Sequence, residues 1–84
     1  MAGNENTFRL VIATVTETKF DGSAISVTFP GSAGMFTVLP HHEALVTSLK
    51  PGTILIKETG GATKEFPVID GVVECSGSRV VVLL

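Results

Sequence analysis

Within the segment 29–52, the side chains that could ligate a metal or carry a proton are His41, His42 and Glu43. A metal site needs three or four ligands that converge, yet adjacent residues on a strand point to opposite faces of a sheet. The chain offers no further histidine and one distant cysteine. We therefore favour an interpretation in which one histidine packs the turn after Pro40 and the other projects to solvent or to a partner. A small stand-alone ligand- or metal-binding module that uses these three residues is the alternative hypothesis.

The other reactive groups do not suggest catalysis. Nucleophilic catalysis needs a nucleophile, a base and an orienting group, and the serines and threonines show no elbow motif or local pairing. Asp21 and Asp70 each precede a glycine, which is typical of turn residues. The loop 31–34 resembles a phosphate cradle only superficially, because it lacks the Gly-Lys-Ser/Thr ending and leads into a strand. We expect no enzyme active site, no nucleotide site and no cofactor.

Composition points to one folded domain that works in a complex. The chain has 84 residues, of which 44% are hydrophobic and only 17% charged, so little charged surface is available. The net charge of −2 gives no electrostatic footprint for nucleic acid. A single cysteine, Cys75, indicates a reducing compartment, and its place in an alternating run predicts a small core residue. The polar residues 1–6 lack the features of a signal peptide and are expected to be disordered.

The sequence predicts β-strands on both sides of the histidine segment, and these strands must position it. Apolar and β-branched residues cluster in short runs between glycine, proline and aspartate, and no segment keeps a helical period. About nine runs fit this description: 8–14, 17–20, 24–29, 35–39, 44–49, 53–58, 64–69, 72–75 and 79–84. Strands of this length without a crossover helix favour two packed antiparallel sheets in one domain, 1–84.

Turn residues predict how these strands connect. Asp21-Gly22 is predicted to be a tight turn, and hairpins are predicted at 59–62 and 76–78. Pro67 places its strand at an edge or a bulge, because proline removes a ladder donor. The run 80–84 reads as a buried strand whose free apolar edge would invite pairing, so we expect a partner or further chain to cover it.

Several segments resemble, in order and spacing, the N-terminal domain of the epsilon subunit of rotary ATP synthases. The most specific is the pattern Pro-x-His-x-x-Leu-x-Thr-x-Leu-Lys-Pro-Gly at Pro40–Gly52. The others are Phe20-Asp21-Gly22, Val27–Gly31, Gly34–Pro40, Asp70–Glu74 and Val80–Leu83. The resemblance extends from about Phe8 to Leu83 and thus covers nearly the whole chain.

The resemblance implies an all-β fold, a flattened antiparallel β-sandwich of about nine to ten short strands. It implies a non-catalytic subunit in the central stalk, or rotor, of a proton- or sodium-driven ATP synthase. This subunit binds the gamma subunit by one face and the polar loops of the membrane c-ring by one end, and so couples rotation to ATP synthesis. The implied location is the cytoplasmic face of the inner or plasma membrane, as a peripheral component without direct membrane insertion.

The resemblance also assigns residues to these two contacts. The gamma interface is expected to include Thr14, His42, Leu45, Val46 and Thr47. The loop that approaches the c-ring is expected to comprise Gly31, Ser32, Ala33, Gly34 and Met35.

This chain departs from the family pattern at several positions. Ala33 and Met35 stand where family members often carry acidic residues, so attraction to basic ring loops is missing. Thr37 replaces a usual glycine, and His41 replaces a usual small residue. Full-size members continue into a C-terminal helical hairpin that can inhibit ATP hydrolysis and, in some bacteria, bind ATP. Because this chain stops at Leu84, we expect neither nucleotide binding nor inhibition by a hairpin.

Overall fold

A computed structural model describes residues 6–84, so most of the start that is predicted to be disordered, residues 1–5, lies outside the described part. Over the described residues the chain forms eight β-strands. They are β1 (Phe8–Ala13), β2 (Thr18–Gly31), β3 (Gly34–Val38), β4 (Leu45–Leu49), β5 (Gly52–Glu58), β6 (Thr63–Val68), β7 (Gly71–Ser76) and β8 (Arg79–Leu83).

The longest strand, β2, belongs to two layers. Residues 18–24 of its first half pair with β1, while the second half pairs with β3 and β5 and touches β4 at Gly31. A strand of 14 residues that changes partners along its length joins the two layers into a β-sandwich. The predicted all-β sandwich is therefore confirmed.

The tight turn predicted at Asp21-Gly22 is wrong, and this error accounts for most of the difference between nine or ten expected strands and eight. Asp21 lies inside β2 opposite Val11, and Gly22 lies opposite Leu10. The guanidinium of Arg9 on β1 donates to both carboxylate oxygens of Asp21, at 3.0 and 2.9 Å. This partner from another strand holds an aspartate in extended conformation, which the local Asp-Gly signal cannot reveal.

The sheet order is β1-β8-β7-β4-β2-β5-β6, with β3 paired to β2. Most pairs are antiparallel as predicted, but β1 and β8 run parallel. The expectation that the last strand presents a free apolar edge is also wrong, because β8 lies between β1 and β7 and pairs with both. Its ladder is completed inside the domain.

Alternating side chains fill the space between the layers. Cys75 is 2% exposed, which confirms the prediction of a core cysteine. Burial raises the pKa of its thiol. The core of the described residues consists of Phe8, Leu10, Ile12, Phe20, Ala24, Val27, Phe29, Val38, Leu49, Ile54, Ile56, Val68, Val73, Cys75, Val80 and Val82.

Other turn and edge predictions are confirmed. Residues 59–62 connect the antiparallel pair β5 and β6, and residues 77–78 connect β7 and β8. Among the described strands β6 pairs only with β5, so Pro67 lies on an edge strand, where a missing N–H costs no ladder bond.

The Arg9–Asp21 ion pair predicts an acid-dependent contribution to stability. The hydrogen bonds from Arg9 lower the pKa of Asp21. The stabilisation is therefore complete above the ordinary aspartate pKa and disappears as the pH falls through the lowered folded-state pKa. In urea unfolding, we expect Asp21→Asn to be less stable than the parent chain at about pH 6 and equal to it near pH 2. In an Arg9→Met background most of this pH dependence should disappear, because only the weaker influence of the Arg79 charge on the pKa of Asp21 remains. A pH dependence of undiminished size in that background would assign it to a group other than the Arg9–Asp21 pair.

Candidate functional site: a groove between β3 and β4

A surface groove runs between β3, β4 and the loop 39–44 that joins them. It consists of a larger hollow of about 510 Å³ and a smaller one of about 300 Å³. Phe36 and Leu45 line both hollows, so the two are adjacent. The larger is also lined by Thr37, Val38, Leu39, Pro40, His41, His42, Glu43, Ala44 and Cys75, and the smaller by Gly31, Ala33, Gly34, Met35 and Thr47. We call this surface the β3–β4 groove.

The close meeting of three strands at Gly31 shapes one end of the groove. Gly31 is opposite Gly34 on β3 and opposite Leu49 on β4. A Cβ atom at position 31 would lie 2.7 Å from the Gly34 carbonyl oxygen and 2.8 Å from the Phe36 ring. Only glycine therefore lets β3 approach β2 this closely at position 31.

Hydrogen bonds fix the loop 31–35 to β4. The Ser32 amide donates to the Ser48 carbonyl oxygen at 3.0 Å, and the two hydroxyl oxygens are 2.8 Å apart. The Lys50 amide donates to the Pro30 carbonyl oxygen at 2.9 Å. These bonds hold the two walls of the groove at a set separation.

Aromatic packing forms the floor of the groove. Phe36 lies against the buried Phe29, with ring centroids 5.3 Å apart. Leu45 and Thr47 project from the opposite wall, because alternate residues of a strand share a face. Among the residues that line the groove, the ionisable side chains other than the Cys75 thiol are His41, His42 and Glu43. The groove is therefore predominantly apolar.

The two histidines have different roles, as the favoured interpretation predicts. The His42 ring packs edge-on against the buried Phe8 at a centroid distance of 5.6 Å, and its Nδ1 lies 3.4 Å from the Glu43 carbonyl oxygen. Its buried Nε2 has no hydrogen-bond partner among the described residues. His41 is exposed and adopts a left-handed conformation with φ of 65°.

Metal binding has no geometric support in the described chain. Over residues 6–84 no group of three or more histidine, cysteine, aspartate or glutamate side chains could hold a metal ion.

Within the same residues, no helix has the length and hydropathy that a membrane crossing requires.

The structure brings together residues that were assigned to two separate contacts. Leu45 and Thr47, expected at the gamma interface, line the same smaller hollow as residues expected in the ring-facing loop, namely Gly31, Ala33, Gly34 and Met35. Ser32 does not line it but is bonded to β4. His42 lines the larger hollow.

The remaining two expected interface residues lie elsewhere. Val46 is 67% exposed and points to the opposite face of β4 from Leu45 and Thr47. Thr14 follows β1, which is separated from β4 by β8 and β7 in the sheet order. Its hydroxyl accepts a hydrogen bond from the Glu17 amide at 3.2 Å, so it serves the β1–β2 turn.

Sequence reasoning did not single out Phe36 and Leu39 as groove residues. Leu39 is 57% exposed, a large value for a leucine at the end of a predicted strand, 35–39; the observed strand ends at Val38. The signal that points to them is the absence of Asp, Glu, Lys and Arg from residues 22–42, a stretch longer than one buried strand face requires. Val72 and Leu83, opposite each other on β7 and β8, add exposed apolar surface beside β4 that was also not anticipated.

The described residues thus form a β-sandwich with an open, predominantly apolar groove between β3 and β4. Comparison with protein families agrees: the chain belongs to the family described as ATP synthase, Delta/Epsilon chain, beta-sandwich domain, whose model matches residues 7–84.

Curated relatives carry the name ATP synthase epsilon chain. The one from Janthinobacterium sp. (strain Marseille) is 38% identical over 79 residues, which are 93% of this chain and 56% of the relative. One from a Nitratiruptor species is also 38% identical, over 94% of this chain and 61% of its own length. The chain thus spans little more than half of these relatives. A relative from Chlorobium limicola is 30% identical and is covered over 94% of its length.

A solved structure shows the same fold. A chain of the Euglena gracilis mitochondrial ATP synthase, in a structure described as OSCP/F1/c-ring in rotational state 1, aligns with a TM-score of 0.87 at 20% identity. The alignment covers 93% of this chain and 50% of that one.

The left-handed backbone conformation of His41 predicts that a glycine at this position would make the folded chain more stable. A side chain at φ of 65° costs about 1–2 kcal/mol, of which the greater freedom of glycine in the unfolded chain offsets about half. We expect His41→Gly to raise the free energy of unfolding by about 0.5–1 kcal/mol, as measured in urea. The matched control is His41→Ala, which removes the imidazole but keeps Cβ and should not stabilise. Equal effects of the two substitutions would show that the imidazole, and not the backbone, determines the result.

Proposed function

We propose that this chain is a non-catalytic subunit of the central stalk of an ion-driven ATP synthase. In this role it binds the gamma subunit and the polar loops of the c-ring, and it transmits rotation between them during ATP synthesis. It works at the cytoplasmic face of the membrane as a peripheral component of the complex. Family membership and the names of the relatives support this proposal.

The observation that carries the proposal is the β3–β4 groove. A small domain rarely leaves an apolar groove open to water unless another molecule covers it. Leu45 and Thr47 on one wall are the residues expected to contact the gamma subunit, and they project into the groove next to Phe36. The gamma subunit is the partner that we assign to this surface.

The ring contact is assigned to the loop 31–35, of which residues 32–35 are exposed. Met35 is 67% exposed, and the loop contains no charged side chain. We assign an apolar contact to it in place of ion pairs. The Ser32–Ser48 hydrogen bonds join this loop to β4, so force received at the loop reaches the gamma-binding strand through two short bonds.

The sandwich is suited to transmitting force. β2 runs through both layers and pairs with four other strands, so the loop 31–35 at its end is continuous with the core. A displacement of the loop must therefore move a ladder that the core residues hold in place. Transmission of torque needs this kind of rigidity, since a compliant domain would absorb the motion.

The gamma contact predicts a specific charge-insertion effect. Leu45 and Leu55 are both 42% exposed, but Leu45 lines the groove while Leu55 lies on β5, away from it. We expect Leu45→Glu to weaken the complex with the purified gamma subunit of the same synthase by about 2 kcal/mol or more, roughly 30-fold in Kd, because it buries an unpaired carboxylate. Titration calorimetry measures this change.

Leu55→Glu is the matched control, since it adds the same charge at the same exposure. It should leave the affinity unchanged within about twofold, which corresponds to an ordinary surface substitution. Equal loss in both variants would indicate that net charge matters and that the groove does not. If the parent chain forms no complex with the gamma subunit at micromolar concentration, the proposed function is wrong.

The uncharged loop predicts a ring contact that is insensitive to salt. Raising the ionic strength from about 0.02 to 0.3 M screens charge pairs but not apolar contacts. Binding of the gamma complex to isolated c-rings should therefore change less than about twofold over this range, measured by co-sedimentation. Met35→Glu should make the same binding fall with salt. A steep salt dependence of the parent complex would contradict an apolar contact.

A further inference from the structure

Strand β3 has one free edge. Among the described strands it pairs only with β2, through the register from Val27 opposite Val38 to Gly31 opposite Gly34. Every other strand except β6 has ladder partners on both sides, although β4 pairs with β2 only at Gly31. The free edge of β3 borders the β3–β4 groove, because residues 36–38 line it.

The register shows which backbone groups point out of this edge. The Pro30 carbonyl accepts a hydrogen bond from Lys50, so residue 30 directs its backbone groups away from β3. Its opposite residue, Met35, must then direct its N–H and C=O away from β2, as in any non-hydrogen-bonded antiparallel pair. By alternation Thr37 does the same. The short Thr28–Thr37 hydroxyl contact of 2.9 Å agrees, because side chains lie closest in such pairs.

This edge carries none of the features that normally prevent strand pairing. Proteins protect edges with charged side chains, prolines or bulges. The other edge strand, β6, follows this rule, with Lys64, Glu65 and Pro67. In contrast, β3 has the sequence GMFTV and contains neither a charge nor a proline.

Exposed apolar side chains flank the free edge. Met35 is 67% exposed on β3 and Leu39 is 57% exposed just after it, with Leu45 on the facing wall. Backbone groups that are available for a ladder beside apolar hollows match the requirements of an added strand, in which main-chain bonds give affinity and alternate side chains enter pockets. A helix could fill the hollows but would leave the outward N–H and C=O groups of β3 unpaired.

We propose that the free edge of β3 receives an extended, uncharged segment of the gamma subunit as an additional strand, with every second side chain of that segment in the β3–β4 groove. The proposal rests on the proposed function for the identity of the partner. It adds the mode of binding: main-chain hydrogen bonds to Met35 and Thr37.

Amide hydrogen exchange followed by NMR tests this mode. In the free chain the amides of Met35 and Thr37 should exchange fast, whereas those of Phe36 and Val38, which face β2, are already protected. Saturation with the gamma subunit should slow exchange at Met35 and Thr37 at least tenfold and thus remove the alternation along β3. A complex that forms while both amides stay fast would overturn strand addition but leave the proposed function intact. Absence of any complex would overturn the proposed function itself.

A second measurement removes one donor without changing a side chain. Replacing the Thr37 amide with an ester by chemical synthesis deletes an N–H that has no ladder partner in the free domain. The ester also weakens the Phe36 carbonyl as an acceptor in the ladder with β2, so the free energy of unfolding is measured alongside binding. Loss of one main-chain bond should weaken gamma binding about 3- to 10-fold. The same replacement at Glu65 on the edge of β6 is the control and should have no effect on gamma binding.

The exchange measurement also tests for self-association. If protection of the Met35 and Thr37 amides rises with the concentration of the chain alone, the occupant is a second copy of the chain, and the assignment to gamma is overturned.

Discussion

The structure depends on a single strand that serves both layers of the sandwich. β2 extends without a break from Thr18 to Gly31, and its first half completes one layer while its second half organises the other. Its buried residues Val27 and Phe29 lie at the centre of the core. Where β2 ends, Gly31 pairs with both β3 and β4, and its missing side chain lets Gly34 and Phe36 of β3 come close. The β3–β4 groove lies beside this junction.

This arrangement gives the two proposed contacts a common structural basis. One wall of the groove is β4, whose Leu45 and Thr47 project inward. The other wall is β3, which is joined to β2 through the uncharged loop 31–35. Since Ser32 and Ser48 join the two walls, a load on the loop is carried by β4 and the core behind it. The low charge of the chain follows from the same arrangement, because a partner is expected to cover these surfaces.

Local patterns were sufficient for much of the fold and part of the site. Cys75 in the core, Pro67 on an edge and the different roles of His41 and His42 follow from alternation, proline chemistry and turn residues. Features that depend on distant partners could not be read in the same way. Asp21 lies in a strand that pairs with β1, where Arg9 of that strand binds it, and the last strand is enclosed because β1 pairs with it in parallel.

The groove itself was predicted only in pieces. Phe36 and Leu45 are separated in sequence by a loop, and each belongs to a different strand, so no local period relates them. The family resemblance assigned Leu45 and Thr47 to one partner and the loop 31–35 to another. It did not indicate that Leu45 and Thr47 line the same hollow as four of the five loop residues. Their proximity depends on the close approach at Gly31, a steric property that becomes evident only with three strands in place.

The most direct test of the central claim is cryo-electron microscopy of the ATP synthase purified from the cells that make this chain. We expect a β-sandwich with this fold at the foot of the rotor, with the β3–β4 groove covered by the gamma subunit and the loop 31–35 against the c-ring. A rotor foot that is occupied by a different chain, or a sandwich whose groove faces solvent there, would contradict the account.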